Sequence, residues 1–460
     1  MDTIAAIATG SAPTAIGVIR VSGPETDAVV SRVFRPKCAK PFSALEPRRL
    51  FLGALTDRAG RTLDSGMAVR FPAPASYTGE DCAELHCHGS PAAMGEILSA
   101  LFAAGARQAR PGEFTRRAFL NGKLELTQAE AVIDLIDAQT PAAARNAAAQ
   151  LDGALARTVG QVYDELTALA SQFYAVVDYP DEDIEDLDRT KLEDTLRRAD
   201  DTLTRLLDTC GRGRVLRQGV PTAIVGLPNA GKSSLLNALA GYDRAIVTSV
   251  PGTTRDTVEE SVLCGGVLLR LTDTAGIRET DDAVERLGVE RSRSAAQRAE
   301  LVLVVADGSA PLAPENEAVF ALAARCPRWV LVWSKADLAA GPRPAKAWTS
   351  PPWLSAPAAE VAVSSVTGEG LDRLEDAVRA LFPAGEAPAG QILTNARQSE
   401  AVSRARDAVR RALEALECGM TPDVILTDAE EAMNALGELT GRTAREDIVS
   451  DIFSRFCVGK

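Results

Sequence analysis

The stretch GLPNAGKSS, from Gly226 to Ser234, constrains this chain more than any other part of its sequence. It fits the pattern G-x-x-x-x-G-K-[ST], whose fixed positions are Gly226, Gly231, Lys232 and Ser233. The apolar run PTAIV precedes it and LLNALA follows it, which predicts a strand, a loop and a helix. In such a loop, backbone N–H groups and the lysine hold a polyphosphate, and the serine hydroxyl can ligate Mg2+. The stretch therefore predicts a nucleotide-binding domain.

Length and composition limit the class of protein further. A chain of 460 residues is too long for one ordinary core, so two to four domains are expected. The net charge of -13 argues against a generally basic protein that coats nucleic acid, although a local basic patch is compatible with it. The sequence has no run of 18 apolar residues, no positively charged leader and no C-x-x-C pair among its eight cysteines. We expect a cytoplasmic protein without a membrane association or a disulfide framework.

The pattern of apolar residues divides the chain into four segments. Residues 1–120 mix strands with a helix and predict an α+β domain, whereas residues 121–215 show helical spacing, including one long helical stretch over 141–177. Residues 216–383 alternate strands with helices, which is typical of a parallel α/β sheet. Helical patterning returns over residues 384–460, after a Pro/Gly linker. The predicted fold is a multidomain α/β and α+β protein with a P-loop domain inserted into a helical domain.

Two smaller features allow more than one interpretation. The only histidines, His86 and His88, alternate with Glu84 on one face of a predicted strand, while Cys87 faces the other way. A zinc site would need more convergent ligands, so packing or contact with a small ligand is favoured. The acidic run over residues 178–186 could bind a cation, but a solvated loop between helices is favoured.

Four segments follow the phosphate loop in the order that a GTPase requires: IVTSVPGTTRD, LTDTAGI, WSKAD and VSSVTGEG. Thr254 is the candidate to close over Mg2+ and the terminal phosphate, and Asp273 can hold the water shell of the metal. The N–H group of Gly276 can contact the γ-phosphate. Asp337 can accept hydrogen bonds from guanine N1–H and the 2-amino group, a pair of donors that adenine cannot offer. This residue favours GTP over ATP.

The predicted GTP contacts are distributed over the phosphate loop and these four segments. They are Asn229, Ala230, Gly231, Lys232, Ser233, Ser234, Thr248, Ser249, Val250, Pro251, Gly252, Thr253, Thr254, Asp273, Thr274, Ala275, Gly276, Ser334, Lys335, Asp337, Ser364 and Ser365. Magnesium is expected on Ser233 and Thr254.

Two positions depart from the usual GTPase motifs. Ser334 stands where the guanine motif N-K-x-D has asparagine, so a contact to the base or to the loop is expected to be shortened or lost. Weaker nucleotide affinity is expected, with unchanged base choice. Ile277 occupies the place of the glutamine that orients water in Ras-like GTPases. An aliphatic side chain cannot position a nucleophile, so the catalytic group must come from elsewhere.

Several blocks beyond these motifs give the chain a close, full-length resemblance to the MnmE (TrmE) family of bacterial tRNA-modification GTPases. They are VIRVSGP, SYTGEDCAELHCHG, PGEFTRRAFLNGKLELTQAEAVIDLIDA, TAGIRETDDAVERLG and the C-terminal FCVGK. Ribosome-assembly GTPases share the G motifs but not the PGEFT block or the Cys-x-Gly-Lys ending. The chain departs from the family at GSAPTAIG over residues 10–17, where many members have P-P-G-R-G, and at Leu227, where arginine is frequent.

The resemblance implies an N-terminal domain that binds 5-formyl- or 5,10-methylene-tetrahydrofolate and forms a homodimer, and a helical domain that carries a Ras-like G domain. It implies a partner, the FAD-dependent MnmG (GidA), in a heterotetramer or larger complex that modifies C5 of the wobble uridine of certain tRNAs. The folate contacts of the family fall on Arg20, Glu80, Lys123 and Lys460. Cys457 is a candidate for thiol chemistry or, equally, a small buried hydrophobic residue.

The resemblance also implies that a potassium ion replaces the arginine finger. Its ligands would be the side chain of Asn229 and the backbone oxygens of Thr248, Val250 and Thr253. Potassium would order this loop when two G domains meet across the nucleotides, which places positive charge at the transition state. Glu285 matches the acidic residue of the family that orients the attacking water; an ordinary glutamate on a helix surface is the alternative.

Two other classes of protein are weaker alternatives. A switch GTPase of ribosome assembly should carry an RNA-binding module with a basic surface after its G domain, whereas the residues after 383 are helical in pattern and mixed in charge. A P-loop ATPase is disfavoured by Asp337 and the T-A-G segment.

Overall fold

The structure of the protein is a computed structural model. It describes residues 2–10, 12–38, 40–178, 188–242, 260–271, 294–338, 355–383, 387–443, 446–454 and 456–459. The chain divides into two compact units. The first contains residues 1–133, 150–200 and 404–460, and the second contains residues 134–149 and 201–403. The domain boundaries at residues 120, 215 and 383 stay a prediction.

A seven-stranded sheet forms the N-terminal part of the first unit. Its strands are β1 (Ile4–Ile7), β2 (Thr14–Ser22), β3 (Phe34–Pro36), β4 (Phe51–Thr56), β5 (Thr62–Phe71), β6 (Cys82–Gly89) and β7 (Arg107–Gln108). They lie in the order β3-β4-β5-β6-β2-β1-β7, and every pairing is antiparallel except that of β1 with β7. Alternate residues such as Ile19, Val21, Leu85 and Cys87 are buried, because side chains of a strand alternate between its faces.

Three helices belong to this part of the chain: one between β2 and β3, one between β6 and β7, and one after β7. Helices α1 (Thr26–Val33) and α2 (Pro91–Ala103) cover its buried face with apolar side chains such as Val30 and Ile97. Helix α3 (Glu113–Leu120) begins after Gly112, whose φ of 65° lies in the left-handed region. A Cβ atom on Gly112 would lie 2.6 Å from the Phe453 carbonyl oxygen, so the start of α3 requires glycine.

Five helices follow α3. They are α4 (Leu126–Ile136), α5 (Pro141–Leu151), α6 (Ala154–Asp178), α7 (Arg189–Leu207) and α8 (Cys210–Gln218). The helical stretch predicted over 141–177 is two helices, because the chain turns at Gly153 with a φ of 85°. The acidic run that was predicted to be a loop lies outside the described residues beyond Asp178.

A six-stranded sheet forms the centre of the second unit. Its strands are β8 (Val220–Val225), β9 (Glu260–Cys264), β10 (Val267–Leu271), β11 (Leu301–Asp307), β12 (Trp329–Ser334) and β13 (Ala359–Ala362). They lie in the order β13-β12-β11-β8-β10-β9, with parallel pairings except that of β9 with β10. This arrangement confirms the predicted parallel α/β sheet.

Both faces of this sheet are covered, as is typical of parallel sheets. Leu301 and Leu303 of β11 belong to one apolar core, while Val302 and Val304 belong to a second core. The helices described around the sheet are α9 (Lys232–Tyr242), α10 (Asn316–Ala323) and α11 (Leu371–Leu381).

The C-terminal segment is helical, as predicted. It contains α12 (Ala396–Glu417), α13 (Pro422–Thr440) and α14 (Glu446–Ser454), and α13 packs against α6. All eight cysteines are free thiols. Within the described ranges, no helix has the length and apolar character needed to cross a membrane.

Candidate functional site

The predicted strand, loop and helix around the phosphate loop are present. Strand β8 ends at Val225 and α9 begins at Lys232. A Cβ atom on Gly226 would lie 2.3 Å from the carbonyl oxygen of Val305 on β11, so any side chain there would displace the loop from the sheet. Gly231 has a φ of 94°, which L side chains rarely adopt. Both glycines of the motif are therefore required by geometry.

Lys232 lies with its ammonium group against the loop. Its Nζ atom donates to the carbonyl oxygens of Gly226 at 2.9 Å and Leu227 at 2.8 Å. Burial lowers the pKa of the Lys232 ammonium group. Lys232 is the first residue of α9, so its ammonium group and the N-terminus of the helix can act on one bound anion.

Asn229 has a φ of 58°, a left-handed conformation that asparagine tolerates better than most residues. The residue is exposed. An exposed amide side chain can offer its oxygen to a hard monovalent ion. The other predicted potassium ligands lie outside the described residues. So do the remaining predicted contacts of the segments IVTSVPGTTRD and LTDTAGI and the candidate catalytic residue. These residues are Thr248, Ser249, Val250, Pro251, Gly252, Thr253, Thr254, Asp273, Thr274, Ala275, Gly276 and Glu285.

Ser334, the residue in place of the usual asparagine, ends β12 and is only 3% exposed. Its Oγ atom lies 2.5 Å from the carbonyl oxygen of Ala230 and 3.1 Å from that of Ala306. The serine at this position thus contacts the phosphate loop, and the weaker nucleotide affinity expected from it stays a prediction.

Lys335 and Asp337 follow in the guanine motif. The Lys335 ammonium group lies 2.6 Å from the carboxylate of Asp307 at the end of β11. Burial raises the pKa of the Asp307 carboxyl, but hydrogen bonds from Lys335 and Ser309 outweigh burial and lower the pKa to about 2. Asp337 is exposed within a short 3-10 helix, so its carboxylate is open to a base.

The last of the four predicted segments, VSSVTGEG, is joined to the guanine motif by a backbone hydrogen bond. The N–H group of Ala336 donates to the Val363 carbonyl oxygen at 3.2 Å. The buried Ser364 hydroxyl accepts from the N–H groups of Val366 and Thr367, at 3.3 and 3.1 Å, and therefore shapes the turn itself. Ser365, half-buried, follows it.

The predicted GTP contacts that the structure describes lie after the carboxyl ends of three parallel strands, where α/β sheets bind ligands. The phosphate loop follows β8, the Ser-Lys-Ala-Asp segment follows from the end of β12, and the Ser-Ser segment follows β13. The described contacts are Asn229, Ala230, Gly231, Lys232, Ser233, Ser234, Ser334, Lys335, Asp337, Ser364 and Ser365.

Three of the residues carried over as folate contacts, Arg20, Glu80 and Lys123, are described in the first unit, and Arg20 lies on β2. The guanidinium group of Arg20 pairs with Glu84 at 2.8 Å and lies 4.9 Å from the centre of the Tyr77 ring. Ser22 lies two positions after Arg20 on β2, on the same face of the strand. Its hydroxyl donates to Glu80 at 2.9 Å. A Cβ atom on Gly79 would lie 3.3 Å from Lys123 Cγ, so Lys123 is adjacent to the Glu80 segment. Lys460 lies outside the described residues.

Cys457 is exposed, so the alternative of a small buried hydrophobic residue is wrong. Its carbonyl oxygen accepts from the N–H group of Gly112 at 3.4 Å, which holds the C-terminal tail beside the start of α3. Gly459 continues the tail against β1, because a Cβ atom there would lie 2.2 Å from the carbonyl oxygen of Ile7. The tail therefore runs along the two elements that border the candidate folate contacts.

Sequence reasoning missed Arg117, which is only 4% exposed. Its guanidinium group contacts Asp2 at 2.9 Å, Glu80 at 3.0 Å and Glu113 at 3.0 Å. Burial alone would lower the pKa of Arg117, but the hydrogen bonds that its guanidinium group donates to Glu80 and Glu113 raise it. The spacing of Glu113 and Arg117 in the PGEFTRRAF block was the available signal, because residues i and i+4 share one face of a helix.

The histidine strand is β6, and Glu84 and Cys87 lie on opposite faces, as predicted. His86 Nε2 lies 3.7 Å from the Glu84 carboxylate, and His88 Nδ1 lies 2.8 Å from Asp64. In the part of the chain that the structure describes, no group of three or more His, Cys, Asp or Glu residues could hold a metal ion.

The phosphate loop, the guanine motif and the strand order define the Ras-like class of GTP-binding proteins. The family model for the MnmE helical domain matches residues 126–457, and the model for the N-terminus of the GTP-binding protein TrmE matches residues 3–123. The chain therefore belongs to the MnmE (TrmE) family.

Curated relatives match along their whole length. The tRNA modification GTPase MnmE of Heliobacterium modesticaldum is 43% identical over 467 residues, which cover 100% of this chain and 99% of the relative. The MnmE proteins of Akkermansia muciniphila and Roseiflexus sp. are 42% and 44% identical, with the same coverage.

Proposed function

We propose that the protein is a GTP hydrolase that acts in tRNA modification. The observation that carries this proposal is the link from the phosphate loop through Ser334 to the guanine motif, because it places Lys232 and Asp337 at one edge of one sheet. Full-length similarity to tRNA modification GTPases supports the tRNA substrate.

Base choice gives a direct test of this site. An aspartate at position 337 accepts two hydrogen bonds from guanine, whereas an asparagine would match xanthine, which has an oxygen in place of the 2-amino group. The Asp337→Asn protein should therefore lose GTP hydrolysis and gain XTP hydrolysis. If the wild-type protein prefers ATP to GTP, the proposal of a guanine-specific site is wrong.

The proposed reaction places this GTPase beside the FAD-dependent partner MnmG (GidA), in a heterotetramer or larger complex. The two proteins add an aminomethyl or carboxymethylaminomethyl group at C5 of the wobble uridine of certain tRNAs in the cytoplasm. Mass spectrometry of tRNA nucleosides from a gene-deletion strain tests this. The modified wobble uridines should disappear, and return with the wild-type gene but not with a Glu285→Ala gene. Normal nucleosides in the deletion strain would instead favour the alternative of a ribosome-assembly switch.

Magnesium and potassium complete the proposed catalytic site. Mg2+ would be held by Ser233 and Thr254, and K+ by Asn229 with backbone oxygens of the following loop. The exposed, left-handed Asn229 supports this potassium site. These ions supply positive charge to the phosphates, and Glu285 orients the attacking water. Pairing of two G domains would complete the site, so hydrolysis should depend on dimerisation of the protein.

A one-carbon tetrahydrofolate is the proposed ligand of the N-terminal domain, which also forms the homodimer. Glu80 would accept from the donor edge of the pterin ring, and Arg20, Lys123 and Lys460 would suit the carboxylates of its glutamate tail. The position of Lys123 beside the Glu80 segment supports this arrangement. Calorimetric titration with 5-formyl-tetrahydrofolate should give binding to the wild type and weaker binding to a Glu80→Gln variant. Equal affinities would exclude Glu80 as a contact.

A further inference from the structure

We propose that Arg117 is a positioning residue for folate recognition, which fixes the Glu80 carboxylate so that one of its oxygens is presented to the ligand. The inference rests on the proposed contact of Glu80 with a one-carbon tetrahydrofolate. Arg117 lies 37 positions from Glu80 in the chain and would not touch the ligand itself.

The Arg117 guanidinium group is held on several sides. Its Nη1 atom donates to the backbone oxygen of Asp2 at 2.8 Å and to Glu80 Oε2 at 3.0 Å. Its Nη2 atom donates to Asp2 Oδ1 at 2.9 Å and to Glu113 Oε1 at 3.0 Å. A planar guanidinium group with four such bonds and 5% side-chain exposure has little freedom to move. It therefore serves as a fixed reference for the Glu80 carboxylate.

The Glu80 carboxylate is held through one oxygen only, as far as the described contacts extend. Oε2 accepts from Ser22 Oγ at 2.9 Å and from Arg117 Nη1 at 3.0 Å. Two accepted bonds occupy the lone pairs of Oε2, so Oε1 is the oxygen left for a ligand donor. The Glu80 side chain is 14% exposed, so it is not fully closed off from a ligand. Because Oε2 is anchored, the position of Oε1 is also fixed. Less side-chain entropy of Glu80 is then lost when the ligand binds.

The test compares affinities of the full-length protein for 5-formyl-tetrahydrofolate by calorimetry. Arg117→Lys keeps the positive charge but loses the planar set of bonds, and should weaken affinity about tenfold. Arg107→Lys is the matched control, because Arg107 pairs with Asp2 and Glu113 of the same cluster. The affinity of this variant for the folate should change less than about twofold. In a Glu80→Gln background, Arg117→Lys should produce no further loss.

Several results would overturn the assignment. Wild-type affinity in Arg117→Lys would remove the positioning role. An equal loss with and without Glu80→Gln would show that Arg117 acts through general packing. If Arg117→Lys does not fold, Ser22→Ala removes the other bond to Oε2 without touching an ion pair, and it should weaken affinity only while Glu80 is present. A wild type that does not bind the folate would instead overturn the proposed function, and the inference with it.

Discussion

The Ser334 hydroxyl lies 2.5 Å from the carbonyl oxygen of Ala230, so the guanine motif and the phosphate loop hold each other through one buried side chain. The Cβ and Oγ atoms of Ser334 also border Gly231, where a Cβ atom would lie 3.3 Å from each of them. The loop can approach the end of β12 this closely because position 231 has no side chain. The two nucleotide-binding segments are therefore coupled through Ser334.

Removal of the Ser334 hydroxyl should weaken nucleotide binding. In Ser334→Ala, the carbonyl oxygen of Ala230 loses this donor, at a cost of about 1 kcal/mol, which corresponds to an affinity loss of about fivefold. Fluorescence titration with a labelled GDP measures the effect. Ser355→Ala is a matched control, since Ser355 donates to the carbonyl oxygen of Ala324 at 3.1 Å from an exposed position. Unchanged affinity in Ser334→Ala would mean that the link does not support the loop.

The carboxylate of Glu113 should make stability depend on acidic pH. Burial raises the pKa of Glu113, but hydrogen bonds from Arg107, from the backbone of Arg110 and from Arg117 outweigh burial and lower it to about 2. The folded pKa lies below the ordinary value of 4.5, so the stabilisation is complete above pH 4.5 and is lost as the pH falls towards 2. The shift corresponds to roughly 3 kcal/mol at neutral pH.

Denaturant unfolding of Glu113→Gln across pH tests this expectation. At pH 7 the variant should be less stable than the wild type by on the order of 2 kcal/mol, since glutamine keeps part of the hydrogen bonding. The difference should shrink as the pH falls below 4.5. Glu96→Gln is the control, because the pair of Glu96 with Arg61 at 3.5 Å is exposed. A gap that is independent of pH would contradict the ionic explanation.

The C-terminal tail should depend on Gly459. Alanine there must adopt a φ near 102° and would place its Cβ atom 2.2 Å from the carbonyl oxygen of Ile7, so the tail has to move away from β1. Gly419 is a matched position, with a φ of 70° and nothing within 4 Å of the added atom. Both alanine variants pay a backbone cost of about 1 kcal/mol, but only Gly459→Ala should expose the tail. Hydrogen exchange at residues 456–459 measures this. Equal protection in both variants would contradict the packing of the tail.

The parts of the site that are adjacent in the sequence could be predicted from it, whereas contacts between distant segments could not. The phosphate loop could be predicted because its glycines, Lys232 and the flanking strand and helix are adjacent in the chain. The break at Gly153 was missed because alanine-rich helical spacing continues on both sides of it. Arg117 was missed as a partner of Glu80 because only the folded sheet brings their segments together. Spacing also could not show that Ser334 reaches the phosphate loop, since the loop after β8 has to extend past β11 to the end of β12.

Asn229 offers a test of potassium dependence that is separate from loop strain. Its φ of 58° would penalise alanine, so glycine is the better substitution: it removes the side-chain oxygen and accepts the left-handed backbone. In Asn229→Gly, hydrolysis should lose its stimulation when KCl replaces NaCl, whereas binding of Mg2+ and GTP should persist because Lys232 and Ser233 remain. The ratio of turnover rates in the two salts measures this effect.

A second substitution separates a ligand role from a backbone role. Asn229→Asp keeps a side-chain oxygen and tolerates the left-handed conformation, so it should retain stimulation by potassium that Asn229→Gly loses. If glycine and aspartate behave alike and both keep the stimulation, the side chain of Asn229 is not a ligand. If both lose GTP binding, the side chain supports the phosphate loop instead. Only a loss of stimulation confined to the glycine variant, with GTP affinity preserved, places the potassium ion on this side-chain oxygen.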